Sequence, residues 1–296
     1  MRSRNDRRRS AAAILRFLAC IYFVSVSAAY ALPQGPAPGA PVTDISNIPK
    51  PLTDTFDQVR MRNGANPAPL APQKFQGGDA CLLPPLSLVH SPTVATKSLQ
   101  IPNKARKEYG AACSALKNNK TEDLEKHLRK AVQGYDQYSA AWVTLGQVLA
   151  ARQQNDEARK ACSHGAMADS NYVPAYLCLA DIAAREKNWD DVLKLSSRAL
   201  EVDPATNPVA YEYNAAANLR VNKLADAEKS ALRGLEIDQN HTEPRVHFVL
   251  AQIYEAKGDR EKETAQLREY LKFASDPEDA AMVKKFLSQL ESGTGK

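Results

Sequence analysis

The chain has 296 residues, of which 25% are charged and 44% hydrophobic, so it can build a packed core over part of its length. Its formal net charge of +5 comes from residues 1–31, which hold six arginines and one aspartate; the remainder has 33 basic and 33 acidic residues. Because nucleic-acid binding normally needs a basic surplus for phosphate contacts, no nucleic-acid partner is expected.

Residues 1–31 have the three parts of a secretory signal peptide. Arg2–Arg9 is basic, Ala11–Ala28 is apolar, and Ala29–Ala31 has the small residues of a cleavage site. An uncleaved membrane anchor is the alternative, since the apolar part approaches the ~20 residues that span a bilayer; a lipoprotein-type attachment is a weaker one. Because Arg16 interrupts the apolar run, we expect cleavage and export to the periplasm or the outside of the cell, with membrane contact only if this segment is retained.

Residues 32–102 hold 13 of the 18 prolines. Proline removes a backbone donor and fixes φ, so this arm is predicted to be extended and largely disordered, as a spacer. Its later part is more apolar, because Cys81–Val89 is rich in leucine and Leu99 and Ile101 alternate with polar residues. We therefore expect roughly Ala80–Ile101 to lie against the first helical unit that follows.

From residue 103 onward the hydrophobic pattern is helical and repeats in five pairs. The first helices are predicted near Lys104–Lys117, Tyr138–Ala151, Pro174–Glu186, Pro208–Val221 and Pro244–Lys257. The second helices are predicted near Glu122–Gln133, Asp156–Ala168, Trp189–Val202, Leu224–Ile237 and Arg260–Ala274. A last amphipathic helix, Pro277–Leu290, is expected to cap the apolar face of the final pair.

Residues with known preferences for helix ends mark these boundaries. N-cap types are expected to precede three second helices and the capping helix at Thr121, Asn155, Asn188 and Asp276. Prolines are expected in the first turn of three first helices at 174, 208 and 244, and Gly258 is expected to close the last tight turn.

Small residues recur about 34 to 36 residues apart, which is typical of stacked helix pairs. They are Gly146, Ala180, Ala215 and Ala251 in the first helices. A second set with the same spacing lies in the second helices and includes two larger residues: Ala158, Val192, Ala227 and Glu263. The second unit adds Trp142, Leu145, Leu149 and an apolar Cys162 at fixed offsets. These residues resemble the tetratricopeptide repeat (TPR), in which small residues let paired helices approach closely.

The resemblance covers about 170 residues and implies an all-α fold, a right-handed α-solenoid of about five TPR helix pairs with a C-terminal capping helix. The expected organisation is a signal peptide (1–31), a Pro-rich arm (32–102), a TPR array (103–275) and a capping helix with a tail (276–296).

The resemblance also implies a concave groove lined by the first helix of each repeat. The corresponding residues are Arg106, Tyr109, Val143, Gln147, Leu177, Asp181, Arg185, Glu212, Tyr213, Arg220, Phe248, Gln252 and Glu255. Aromatic residues interleaved with charged ones suit a peptide or a partner helix. An ordinary solvated surface is the alternative. The Lys/Asn carboxylate clamp of some family members is missing, because Asn214 and Asn218 fall at core-facing positions.

The sequence offers little for catalysis, and we expect no enzyme, cofactor or metal. Its five histidines show no HExxH spacing and no pairing with nearby cysteines that would make a metal site, and no phosphate loop or nucleophile elbow occurs. The histidines are His90, His127, His164, His241 and His247.

Four cysteines remain after removal of the signal segment, and an exported chain meets an oxidising compartment. Cys162 and Cys178 lie on helices of successive repeats that should pack together, and Cys81 could fix the arm to Cys113. Two disulfides are therefore one possibility, and four buried thiols are the other.

These observations predict a non-enzymatic scaffold or assembly factor of the cell envelope that binds protein. The alternative is a peripheral or regulatory subunit of an envelope enzyme or secretion complex. A glycan-binding module ranks last, since it needs exposed aromatic platforms and only Tyr109, Tyr213 and Phe248 qualify.

Overall fold

The computed structural model describes residues 81–83, 86, 89 and 100–292. The signal segment and most of the Pro-rich arm lie outside these residues. The described part contains eleven α-helices and no strand. In chain order they are α1 Asn103–Lys117, α2 Thr121–Gly134, α3 Ser139–Ala151, α4 Asn155–Ala168, α5 Val173–Arg185, α6 Trp189–Val202, α7 Pro208–Arg220, α8 Leu224–Ile237, α9 Arg245–Lys257, α10 Arg260–Phe273 and α11 Pro277–Glu291.

Each helix packs against the next one along the chain. The first helices of neighbouring pairs are also in contact: α3 contacts α5, and α7 contacts α9. This is the arrangement expected of stacked helix pairs, and it confirms the predicted solenoid of five pairs. The predicted bounds agree with the helices to within two residues.

Two predicted N-caps are wrong, because Thr121 and Asn155 are the first residues inside α2 and α4. The Lys120 carbonyl accepts from the Leu124 N–H at 2.9 Å, and the Gln154 carbonyl accepts from Ala158 at 2.9 Å. The carbonyl that accepts the first intrahelical bond belongs to the N-cap residue, so both helices begin one residue earlier than expected.

The caps predicted at α6 and α11 are confirmed. The Asn188 side chain accepts from the Asp191 N–H at 3.3 Å, and Asp276 accepts from the N–H groups of Glu278 and Asp279. Asp259 caps α10 in the same way, accepting from Lys262 at 3.1 Å. These side chains satisfy backbone donors that a helix leaves without internal partners.

Prolines 174 and 208 lie in the first turn of α5 and α7 as predicted. Pro244 does not, since it is itself the residue before α9 and accepts a bond from the His247 N–H at 3.0 Å. A proline has no N–H to lose at any of these positions, so all three are compatible with helix initiation.

A left-handed residue links the two helices of every pair. Four of these residues are not glycine: Asn119, Gln153, Lys187 and Asn222, with φ between 54° and 62°. The fifth is Gly258, with φ of 73°, at the predicted last tight turn. Only glycine adopts this conformation without a steric penalty from Cβ.

Gly146 lies where α3 and α4 approach most closely. A Cβ added there would stand 2.2 Å from the Cys162 Sγ and 3.0 Å from the Ala158 carbonyl oxygen. Ala158, Ala180, Ala215, Ala227 and Ala251, at the equivalent positions, are fully buried. The recurring small residues therefore have the packing role that their period predicts.

The large aromatic residue early in three first helices makes the same hydrogen bond in each. Trp142 Nε1 donates to the Asp136 carbonyl at 2.7 Å, Tyr176 to Ser170 at 2.8 Å and Tyr211 to Pro204 at 2.9 Å. Each bond joins a ring to the loop before its helix, so it sets the angle at which one pair follows another.

The core forms two hydrophobic clusters that meet at α7. One extends from the docked arm residues to Ala217, and the other from Ala215 to Phe286. Asn214 and Asn218 lie between them and are buried, as predicted. The Asn214 amide donates to Ser196 at 3.2 Å and Asn218 donates to the Asn214 Oδ1 at 3.0 Å, so these buried amides have hydrogen-bond partners.

The helix α11 covers the end of the array. It buries Val283 and Phe286, while Leu287 and Leu290 pack against the second cluster. This confirms the predicted capping role. Within residues 81–292, as far as they are described, every helix is too short or too polar to cross a membrane.

Candidate binding groove

The predicted groove residues separate into an accessible set and a buried set. Arg106 is exposed, and five further residues, one or two from each of the other first helices, are half-buried. These five are Gln147, Asp181, Arg185, Arg220 and Glu255. The polar groups that could contact a partner are therefore spread over all five repeats, and their binding role stays a prediction.

Seven of the thirteen predicted residues are buried, which corrects the expectation that they line an open surface. They are Tyr109, Val143, Leu177, Glu212, Tyr213, Phe248 and Gln252. The physical reason is that their positions face neighbouring helices. A Cβ added at Gly165 of α4, for example, would lie 2.8 Å from the Val143 Cγ2.

The three aromatic residues considered as glycan platforms are among the buried set. Tyr109, Tyr213 and Phe248 are each exposed by 2% or less. The Tyr213 hydroxyl donates to the Asp181 Oδ1 at 2.8 Å, and the Phe248 ring lies 5.5 Å from that of Tyr270. A ring without an open face cannot stack on a sugar, so the platform expectation is wrong for these residues.

The start of the docked arm lies on α1 and α3. The Leu83 N–H donates to the Gln147 Oε1 at 3.0 Å, and the Gln147 Nε2 donates to the Leu83 carbonyl at 2.9 Å. The Cys81 N–H donates to the Tyr109 hydroxyl at 3.0 Å, which is also 3.0 Å from the Thr144 Oγ1. Groove side chains thus bind main-chain groups, a mode of recognition that is independent of the peptide's side chains.

The arm also contributes apolar side chains to the core. Leu82, Leu83, Leu86 and Val89 are each exposed by 8% or less. At about 25 cal/mol per Å² of apolar surface, such burial favours the docked position. The expectation that residues near 80–101 lie against the first repeat is confirmed for Cys81, which contacts α1, whereas Leu83 bonds to Gln147 of the second repeat.

Both predicted disulfides are formed, so the alternative of four free thiols is wrong. Cys81 is bonded to Cys113 of α1 with a Cα–Cα distance of 5.5 Å. Cys162 of α4 is bonded to Cys178 of α5 at 6.1 Å. The first bond fixes the arm to the array, and the second joins two successive repeats.

The accessible charges of α5 and α7 are arranged by local contacts. The Arg185 Nε donates to the Asp181 Oδ2 at 2.8 Å, one helical turn away. The Arg220 guanidinium lies 5.2 Å from the centre of the Trp189 ring. Such contacts hold charged side chains in defined positions, which lowers the entropy lost when a partner binds.

Buried acidic groups lie at the carboxy-terminal end of the array. Burial, the negative charges of Glu212 and Asp238 and the weaker opposing effect of Arg245 together raise the pKa of Glu243 to about 7. Asp238 accepts from the Glu243 N–H at 2.7 Å and so organises the loop before α9. The Glu243 carboxyl group therefore changes its charge near neutral pH.

Glu263 is a second acid of this kind. It occupies a position that holds Ala158 or Ala227 in other repeats, and it is 4% exposed. Burial and the nearby charge of Glu255 raise its pKa to about 7. An acid at a close helix crossing is destabilising when ionised, because it loses hydration.

Thr144 and the backbone of Leu83 are not among the residues predicted for this site. Thr144 follows a groove position in an apolar helix, and its hydroxyl also donates to the Ala140 carbonyl at 2.8 Å. A hydroxyl in an otherwise apolar first helix signals a buried hydrogen bond. The bond between Gln147 and Leu83 had no comparable signal, because any residue carries the same main-chain groups.

Within the described part of the chain, no cluster of three His, Cys, Asp or Glu side chains could hold a metal ion. Described histidines make local contacts: His127 Nδ1 lies 2.7 Å from Glu108, and His164 stacks on Trp142 at 4.7 Å. The first-helix contacts described above are to main-chain groups and between charged side chains.

No protein-family model matches the chain, and no curated protein matches it. Solved structures do. MamA residues 41 to the end from Desulfovibrio magneticus RS-1 has a TM-score of 0.50 at 14% identity, over 58% of this chain and 96% of that one. TTC0263, a thermophilic TPR protein of Thermus thermophilus, has a TM-score of 0.50 at 13% identity, over 63% of this chain and 98% of that one.

The yeast protein Tom70 has a TM-score of 0.54 at 14% identity, over 68% of this chain and 44% of that chain. At such identities the similarity establishes fold and nothing finer. It agrees with the stacked pairs, the small residues at the helix crossings and the left-handed links described above. The chain therefore has the fold of the tetratricopeptide repeat proteins.

Proposed function

We propose that this protein is a non-enzymatic interaction scaffold or assembly factor of the cell envelope, and that its first helices bind a peptide segment or a helix of a partner protein. The observation that carries the proposal is the pair of hydrogen bonds between Gln147 and the main chain of Leu83. The first-helix surface already binds main-chain groups of another segment there, at a turn in which the Leu86 N–H donates to the Leu83 carbonyl at 2.9 Å. Other segments with the same main-chain groups could be held in a similar way.

The partner contacts that we propose involve the accessible residues of α5, α7 and α9. Asp181, Arg185, Arg220 and Glu255 supply both signs of charge, so a partner segment with mixed charge is the best match. The first two repeats already hold the chain's own arm. Repeats three to five therefore form the proposed contact surface.

The envelope location is also proposed, and two observations support it. The amino-terminal segment has the sequence pattern of an export signal. Two disulfides occur in the described residues, as is common in proteins of oxidising compartments.

The test is crosslinking and recovery of the tagged chain in its native envelope, with a groove variant alongside. Arg185→Gln/Arg220→Gln removes two accessible positive charges from the first helices. Lys194→Gln/Arg233→Gln is the matched control, since it removes two exposed charges from second helices. We expect partner recovery to fall about tenfold or more for the groove variant and to be unchanged for the control.

Equal recovery by both variants would exclude this surface as the contact. The stoichiometry of the recovered complex then distinguishes the two functional alternatives. One partner at a fixed ratio favours a peripheral or regulatory subunit, whereas several substoichiometric partners favour a scaffold or assembly factor.

A further inference from the structure

The surface beneath the arm has features of a peptide site whose occupant is part of the same chain. Gln147 binds both main-chain groups of Leu83, and Tyr109 binds the Cys81 N–H. We propose that this surface also binds an uncharged, leucine-containing segment of a partner protein that forms a similar turn, and that this segment displaces Cys81–Val89 once a dithiol has opened the Cys81–Cys113 bond. This proposal rests on the proposed function. It adds the chemistry of the partner segment and the redox step that controls access to the surface.

The arm itself indicates which chemistry the surface accepts. Cys81–Val89 contains no charged residue, and four of its side chains are buried. The Gln147 amide makes a two-point contact with the backbone of Leu83, whose carbonyl also accepts from the Leu86 N–H at 2.9 Å, so the arm forms a turn there. A partner segment must therefore present free main-chain groups at one residue and apolar side chains beside it.

The disulfide controls access because it holds the arm from one end. The other end continues into α1, whose helix begins at Asn103. Opening occurs by thiol–disulfide exchange: one thiolate of a dithiol attacks a sulfur of the Cys81–Cys113 bond, and its second thiol resolves the mixed disulfide. Two electrons and two protons pass to Cys81 and Cys113, and the dithiol becomes a disulfide.

The arm remains tethered to α1 after this step, at an effective concentration on the order of mM. A free peptide therefore competes poorly with it. A partner already bound to α5, α7 and α9 presents its own segment at a similar effective concentration, so it can compete with the arm on equal terms. The two surfaces would thus act together on one partner.

The first test measures direct binding to a vacated surface. The full chain carrying Cys81→Ser, Cys113→Ser, Leu82→Asp and Leu86→Asp frees the surface, since charged side chains disfavour docking of the arm. The probe is a fluorescein-labelled synthetic peptide of residues 80–90 with Cys81→Ser. We expect anisotropy to show binding to this variant and at least about tenfold weaker binding to the oxidised wild type, where the peptide competes with the tethered arm.

Adding Gln147→Ala to the four substitutions should weaken binding about fivefold or more, because two hydrogen bonds are lost. Gln133→Ala, at an exposed position of α2, is the matched control and should leave binding unchanged. No binding to the folded variant at about 1 mM peptide, the local concentration of a tethered segment, would overturn the proposal. So would binding that is insensitive to Gln147→Ala.

A second measurement needs no substitution within the docked leucines. In the full chain with Cys113→Ser, the Cys81 thiol is free but remains covered while the arm is docked, as Cys81 is in the structure at 2% exposure. The peptide is added at several times the ~1 mM effective concentration of the tethered arm, so that it can displace the arm and raise the rate of maleimide labelling at Cys81, located by fragment mass. An unchanged rate would overturn the proposal even if the first variant does not fold. Neither result depends on Arg185 or Arg220, so failure here is distinguishable from failure of the proposed function.

Discussion

The amino-terminal region, α1–α6 with the docked arm, and the carboxy-terminal region, α7–α11, share one repeat but are stabilised differently. The first contains both disulfides and an arm that adds four apolar side chains to its core. The second has no cysteine and buries polar groups instead, among them Asn214, Glu243 and Glu263. Stability should therefore depend on redox conditions in one region and on pH in the other.

The difference shows how a solenoid can be adjusted locally. Each repeat contacts mainly its neighbours, so a cross-link or a buried acid acts on the pairs around it. The two buried acids with raised pKa values, Glu263 and Glu243, lie in α10 and in the loop before α9. Perturbations confined to one region should consequently leave hydrogen-exchange protection in the other nearly unchanged.

The largest expected effect comes from removing a cross-link. Cys162→Ala/Cys178→Ala opens a bond that spans 16 residues, and a loop of that size constrains the unfolded chain by about 3 kcal/mol. Hydrogen exchange should become faster in α3–α6 and remain unchanged in α9–α11. Equal acceleration in all helices would contradict the division into two regions.

A smaller effect follows from filling the closest helix approach. Gly146→Ala places a Cβ 3.0 Å from the Ala158 carbonyl oxygen and against the Cys162 sulfur, so we expect a loss of about 1–3 kcal/mol in the free energy of unfolding. Gly110→Ala is the matched control in α1, where a Cβ meets nothing within 4 Å. It should stabilise by about 0.5–1 kcal/mol, because alanine favours helix. Denaturant titration of both variants tests the contrast.

The carboxy-terminal region should lose stability as pH rises. Glu263 has a folded pKa of about 7 against an unfolded value of about 4.5, so folding favours its protonated form. This contribution is complete below pH 4.5 and is lost as pH rises through 7. Glu263→Gln should therefore raise the free energy of unfolding at pH 8 by about 1–3 kcal/mol and have little effect at pH 4.5.

The control for this prediction is Glu261→Gln, an exposed position in the first turn of the same helix. Unfolding is followed by urea titration at several pH values. Equal pH profiles for Glu263→Gln and wild type would show that the acid is hydrated in the folded chain. Glu243, with a pKa of about 7, should leave part of the pH dependence in place.

The sequence predicted the array well because its signals are local and repeated. The period of Gly146, Ala180, Ala215 and Ala251 requires close helix pairs whatever the rest of the chain does. The arm's position was also predictable in outline, since leucine-rich sequence without a helical period needs a surface to cover it. Helix adjacency suggested the Cys162–Cys178 bond, whereas the bond from Cys81 of the arm to Cys113 was a possibility beside that of four free thiols.

The composition of the groove surface was predicted less well. A family pattern says which face of a first helix a residue occupies, but burial depends on what lies opposite. Tyr109 is covered by Cys81, which is distant in sequence, and Tyr213 reaches Asp181 on another helix. Long-range contacts of this kind leave no periodic signal in a single sequence.

The smallest expected effect concerns the links within the pairs, where the last repeat differs from the others. Gly258 has φ of 73°, which costs glycine nothing, whereas Gln153 and Lys187 adopt φ of 62° and 60° with a Cβ present. Left-handed residues other than glycine cost about 1 kcal/mol. Gly258→Ala should destabilise the carboxy-terminal region by about that amount, while Lys187→Gly should stabilise the amino-terminal region by somewhat less, because glycine also raises the entropy of the unfolded chain. Thermal and urea unfolding of the two variants measure the predicted loss and the predicted gain in the free energy of unfolding. Destabilisation by Lys187→Gly would mean that the lysine side chain contributes more to stability than its backbone strain costs.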